Sequence, residues 1–198
     1  MLHGGFLKKF EKLSKIKNSK IILWGIGINE HELNKQYFPA FLNRFKLVGL
    51  RDWGNPWVYI PCISCMHEAF NIIRGAITNI VVFEHYDSSI PIELKYKRNN
   101  RQNKGETLTD IINFLSQGEI VITNSYHGVY WSLLMNRKVL IWEPFSNRFY
   151  GFKPEVIYCD RNDWQNKLKM AKRAYSNYLN ECRSINKEFY KKVSDILN

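Results

Sequence analysis

Asn124-Ser125-Tyr126-His127-Gly128 stands between a β-forming run, Ile120-Val-Ile-Thr123, and an apolar stretch of helical spacing that begins at Tyr126. A strand that runs straight into polar residues and then a helix predicts a helix N-terminus capped by Asn124 or Ser125. The backbone N–H groups of Ser125 to Gly128 would then be turned toward an anion. His127 falls in the first helical turn, where the helix dipole is positive, and there a histidine suits the role of a general acid for an anionic substrate. The plain alternative is a capped helix that happens to carry a histidine.

In an open parallel α/β sheet, ligands bind beyond the carboxyl ends of the strands. By that rule Asn124, Ser125, Tyr126 and Gly128 are joined by His85, which follows Ile80-Val-Val-Phe83, and by Gly105 and Thr107 at the start of a helix. Glu143, Ser146 and Arg148 follow Val139-Leu-Ile-Trp142 and belong with them. Gly25 and Gly27 close an apolar run, and Arg51 follows a second short strand, so these too are candidates for substrate contact. The Gly-x-Gly lacks the third glycine and following acid of a dinucleotide fingerprint. Cys62-Ile-Ser-Cys65 with His67 has the spacing of half a zinc site, but only the distant His85, Cys159 or Cys182 could complete it. Buried structural thiols are the expected reading, with no metal and no cofactor. A P-loop lysine, a Gly-x-Ser-x-Gly elbow and a His-Glu-x-x-His helix are all absent from the sequence.

Such residues need elements to position them. Ile21-Ile-Leu-Trp24 reads as a buried strand and Lys46 to Arg51 as a second, with a short helix around residues 30–43 interrupted at Pro39. Residues 53–61, with Gly54, Pro56 and Pro61, read as a loop at a lobe boundary. Beyond Asn79 short apolar strands alternate with helices: strand 80–83, helix 106–116, strand 120–123, helix 126–135, strand 139–142 and strand 156–158. Residues 163–197 read as mostly helical. The fold class expected is α/β, with a mainly parallel Rossmann-like sheet covered on both faces over 61–198. An abbreviated N-terminal α/β lobe occupies 1–60. Residues 95–104, KYKRNNRQNK, carry no acid and read as a solvated loop, or as a lid that folds over a bound anion.

The 198 residues include 29 Lys and Arg against 18 Asp and Glu, a formal charge of +11 that favours anionic partners. With 15% aromatic residues the chain can fill a core and is not disordered. Nucleic acid is not the expected partner, because no zinc finger, RNA-recognition signature or helix-turn-helix spacing accompanies the charge. Four cysteines are too few for a disulfide framework, and the first residues lack the apolar core of a secretory signal. The cytoplasm is therefore the expected location. Phe6, Leu7, Phe10, Leu13 and Ile16 recur at helical spacing with lysines on other faces. Such a helix either packs on the sheet it precedes or makes a peripheral contact with anionic lipid at the inner face of the membrane.

In order along the chain, ILWGIGIN at 22–29, GLRD at 49–52, IPCISCMHEAF at 60–70, VVFEH at 81–85, GETL at 105–108 and ITNSYHGVYW at 122–131 resemble the polysaccharide pyruvyl transferase family. The resemblance implies two Rossmann-like halves, similar to the two-lobed glycosyltransferases, and a role in bacterial surface (exopolysaccharide) synthesis. It implies transfer of a pyruvyl group from phosphoenolpyruvate to a sugar hydroxyl of a glycan acceptor, lipid-linked in some cases, with His127 as the acid. Ser125 stands where many members carry an arginine. The short first lobe is compatible with a homodimer. Two alternatives stay open: a glycosyltransferase with a nucleotide-sugar donor, and a non-catalytic glycan- or anion-binding module.

Overall fold

The structure is a computed structural model that describes residues 4–16, 20–27, 29, 39–72, 75–91, 99–105 and 107–198. The greater part of the helix expected around residues 30–43, and residues 95–98 of the basic run, lie outside the described residues. The fold is Rossmann-like α/β, with every strand pair in its two sheets parallel. The chain divides into two compact units: Met1–Ser64 with Phe145–Lys153 and Asn180–Asn198 in the first, Cys65–Pro144 with Pro154–Leu179 in the second.

The first unit holds a helix α1 (Gly4–Leu13) and a three-stranded sheet ordered β1 (Ile22–Ile26), β2 (Leu47–Leu50), β3 (Val58–Tyr59). Its core is Leu23, Leu42, Phe45, Val48 and Leu50, with Phe10 of α1 packed against it, so this helix commits at least that ring to the sheet it precedes. Part of the loop expected over 53–61 is the third strand, too short and too exposed to show an apolar pattern. The pairing of β1 with β2 shifts register between Leu23 and Ile26, and Gly25 sits inside that irregularity at φ +60°. It is therefore a bulge glycine within the strand, where a side chain would be strained, and does not close the run.

The last helix, α5 (Tyr178–Leu197), joins the first unit from Asn180 onward, which a single cut near residue 60 does not allow. The cause is packing. Phe189 is buried edge-on against Trp24 at 5.1 Å, and Asn186 accepts the Trp24 indole N–H at 2.8 Å while donating to the Pro61 and Cys182 carbonyls.

The second unit contains β4 (Thr78–Glu84), β5 (Asn100–Gln102), α2 (Leu108–Ser116), β6 (Gly118–Thr123), α3 (Tyr126–Leu134), β7 (Lys138–Trp142), β8 (Ile157–Cys159) and a single turn α4 (Trp164–Lys167). Alternation along the strands separates two cores. Ile80, Val82, Ile122, Leu140 and Trp142 meet Cys159, Trp164 and Ala171 on one face. On the other, Phe83 meets Phe114 of α2, and Phe83 and Thr123 meet Gly128 of α3. The helical reading of 163–197 is corrected at 171–177, which carries no helix and instead bridges to β7 through the Val139 amide and the Lys172 carbonyl. Within the basic run one stretch is corrected too: Asn100–Gln102 is an edge strand paired with Val82–Glu84, and not loop.

Candidate functional site

The sheet of the second unit runs β5-β4-β6-β7-β8. From β4 the chain goes first to one side, to β5, and then crosses to the other, to β6. The topological switch point of this parallel sheet is thus the junction of β4 and β6, and the rule for open α/β sheets places a ligand beyond the carboxyl ends of those two strands. Glu84 and His85 leave β4 there, and Asn124, Ser125 and His127 leave β6.

The two strand ends are tied together by polar side chains. The Thr123 hydroxyl, fully buried, donates to the Phe83 carbonyl at 2.5 Å and accepts the Ser125 amide at 3.0 Å. Asn124 accepts the His85 amide at 2.7 Å and donates to the Ser88 carbonyl at 3.0 Å. Ser125, rather than Asn124, is the cap of α3: it has extended backbone, and its hydroxyl accepts the Gly128 amide at 3.4 Å. Two of the N–H groups expected to face an anion, those of Ser125 and Gly128, are thereby engaged within the chain. Gly128 is bare because its helix turn lies directly on the sheet: a Cβ there would stand 2.5 Å from the Thr123 hydroxyl.

His127 is half-buried in the first turn of α3. Its ring stacks on Trp131, one turn further on, at 5.0 Å between centroids and 22° between planes, with Tyr126 edge-on at 5.5 Å. Residues four apart share a helix face, so the stack restricts where the imidazole points. Trp131 was legible from that spacing but was not singled out. Tyr126, at 4% exposure, is largely consumed in packing.

The sequence-predicted residues fall into three groups. His85, Asn124, Ser125, Tyr126, His127 and Gly128 come together at the switch point, and Glu143 directly follows the next strand, β7, with φ +34°. Gly105 and Thr107 line a cavity of about 440 Å³ between β5 and α2, with Arg101 and Phe114 on its wall. Thr107 caps α2, accepting the Asp110 amide and donating to the Asp110 carboxylate at 2.6 Å. Gly25, Gly27, Arg51, Ser146 and Arg148 belong to the first unit. There Arg51, 7% exposed, lies so close over Gly27 that a Cβ would stand 2.0 Å from its Nε. Arg148 lies over both Phe145 and Phe149, its guanidinium carbon 5.0 and 5.3 Å from the ring centres, while the two rings meet edge to face at 5.4 Å.

Set against protein-family models, curated proteins and solved structures, the chain matches none. The site is therefore read from its own residues. Two further members are Glu84, which the strand-end rule marks together with His85, and Asn103, which was missed in the sequence. Glu84 is a carboxylate at 3% exposure that accepts the Ile90 amide at 2.6 Å. Asn103, just past β5, accepts the Tyr86 amide at 2.8 Å and reaches the Ser125 hydroxyl at 3.5 Å. Asn103 sits in a run without apolar periodicity, so nothing local marked it.

The cysteines are free thiols, with Cys65, Cys159 and Cys182 buried. Burial, and behind it the carboxylates of Asp163, Asp160 and Glu143, pushes the Cys159 thiol up to about 12. Among the described residues no three His, Cys, Asp or Glu side chains gather as a metal site, and no helix is long and apolar enough to cross a membrane.

Proposed function

We propose that this chain is a transferase of surface-polysaccharide synthesis that moves a pyruvyl group from phosphoenolpyruvate to a sugar hydroxyl. The observation that carries the reading is His127: a half-buried imidazole in the first turn of α3, at the switch point of a parallel sheet, aimed by its stack on Trp131. The resemblance of the segments around it supports the donor named.

The chemistry asks for a proton at the methylene carbon of the enol phosphate, and His127 supplies it. The cationic centre that forms at the adjacent carbon is attacked by a sugar hydroxyl, whose proton returns to the imidazole. A second hydroxyl of the same sugar then attacks as the bond to the phosphate oxygen breaks, giving a cyclic ketal and releasing inorganic phosphate with the second proton. The dipole of α3 helps hold the anionic donor, since its positive end lies where carboxylate and phosphate would sit.

The test is a calorimetric titration with phosphoenolpyruvate, UDP-sugars and CMP-sugars, followed by turnover assays on wild type and His127→Ala. Phosphoenolpyruvate is expected to bind, and the variant to retain that binding within a few-fold while losing about 10²–10⁴ in kcat. Binding of a nucleotide sugar alone would replace pyruvyl with glycosyl transfer. Full turnover without His127 would remove it from the chemistry.

A further inference from the structure

The turn that follows β4 is exposed, yet it is held from below along its length. The His85 amide donates to Asn124 at 2.7 Å and the Tyr86 amide to Asn103 at 2.8 Å. The Asp87 amide donates to the His85 Nδ1 at 3.3 Å, and the Ser88 amide to the His85 carbonyl at 3.0 Å. Glu84 takes the Ile90 amide, and Asn124 donates back to the Ser88 carbonyl. Three strand ends thus each commit a polar side chain to one surface turn.

Two of those side chains, Glu84 and Asn124, are at least 96% buried, at 3% and 2% exposure. Burying a carboxylate is unfavourable even when it is hydrogen-bonded; the Glu84 bond seats Ile90, which is 4% exposed and packs in the core, while residues 86–88 between the two are exposed. The arrangement thereby also secures a fixed outward display. Tyr86 is 54% exposed, its ring tilted 31° over the His85 ring at 4.7 Å. The Asp87 side chain is 61% exposed, and its carboxylate, hydrogen-bonded to the phenol, raises the pKa of Tyr86. The Asp87 carboxylate also lies 3.9 Å from the His85 Nδ1, which accepts the Asp87 amide.

A rigid aromatic face with a carboxylate and a hydroxyl beside it is a surface for a polyhydroxylated ring. The aromatic face covers the C–H face of a pyranose, and fixed acceptors take its hydroxyl protons at little ordering cost. We infer that the turn at residues 85–88 is a recognition platform for a neutral pyranose, with Tyr86 stacked on the sugar and Asp87 accepting from its hydroxyls. That this sugar is the acceptor of the transfer rests on the transferase reading above; the platform itself does not.

Saturation-transfer NMR with the methyl α- and β-pyranosides of glucose, galactose, mannose and N-acetylglucosamine tests it, alongside calorimetry with phosphoenolpyruvate. At least one glycoside is expected to give saturable transfer to wild type. Tyr86→Ala should weaken it about five- to tenfold, and Asp87→Asn should weaken it as well, with both variants melting as wild type because both side chains are exposed. Asn124→Ala, which releases the turn, should lose the sugar together with melting temperature. No transfer from any glycoside, or full transfer in Tyr86→Ala, overturns the platform. Sugar binding without phosphoenolpyruvate binding would retain the platform and discard the donor; the reverse pattern would discard the platform and retain the donor.

Discussion

Replacing a helical glycine by alanine ordinarily stabilises a protein by up to about 1 kcal/mol, because glycine loses more backbone freedom on folding. At Gly128 the opposite is expected. An added methyl would meet the Thr123 hydroxyl at 2.5 Å and Phe83 Cδ1 at 2.6 Å, and both of those side chains are fully buried. Neither can retreat without disturbing the contact between β4, β6 and α3. Gly128→Ala should therefore destabilise by about 1–3 kcal/mol, the usual cost of overfilling a packed site. Urea unfolding measures it, and a variant as stable as wild type would mean that α3 sits less tightly on the sheet than described. The candidate glycines and polar residues around His127 were legible as types. What was not legible is that Asn124 and Thr123 spend their hydrogen bonds inside the protein.

At the scale of elements, β7 is followed by a residue that resists its own conformation. Glu143 has φ +34°, the left-handed region that costs a non-glycine residue about 1–2 kcal/mol. Its amide is nonetheless fixed by the Cys159 carbonyl at 2.9 Å, so neighbouring β8 imposes the bend. Glu143→Gly removes the steric cost and adds some unfolded-state entropy, for an expected net gain of about 0.5–1 kcal/mol, read as a higher melting temperature. A lower melting temperature would show that the carboxylate supports the fold. The strands themselves were readable, since Ile80–Phe83, Ile120–Thr123 and Val139–Trp142 are continuous apolar runs in a doubly covered sheet. Edge strand β5 was not: Asn-Arg-Gln has no apolar residue, and it pairs because β4 offers a free edge.

At the scale of the whole molecule, the response to acid follows from carboxylates held by the chain's excess of cations, +11 in formal charge. Glu119 lies beside Arg173 and within 3.4 Å of Lys138, and its carboxyl is held below the usual 4.5, chiefly by hydrogen bonding to Arg173. Arg173 also donates to the Asn136 carbonyl at 2.7 Å, so the cluster joins the start of β7 to the segment after α4. A carboxylate with a depressed folded-state pKa contributes stability that is present above pH 4.5. That stability is lost as pH falls through the folded value below 4.5. Glu119→Gln should accordingly flatten the fall in stability below about pH 4.5 while lowering stability at neutral pH, as followed by urea midpoints across pH. An unchanged acid limb would assign the loss to other carboxylates.

Apolar periodicity and capping residues are local, so the sequence by itself determined the parallel α/β class, the helix that begins at Tyr126 and the place of His127 in its first turn. Two further properties depend on contacts between residues far apart in the chain, and only the tertiary structure decided them. One is the return of α5 to the first unit, carried by a Trp24–Asn186 bond across 162 residues. The other is the allocation of hydrogen bonds at the switch point, where Glu84, Asn103 and Asn124 hold the turn that presents Tyr86. A side chain's type says which bonds it can make; which partner reaches it first is fixed by the pairing of strands.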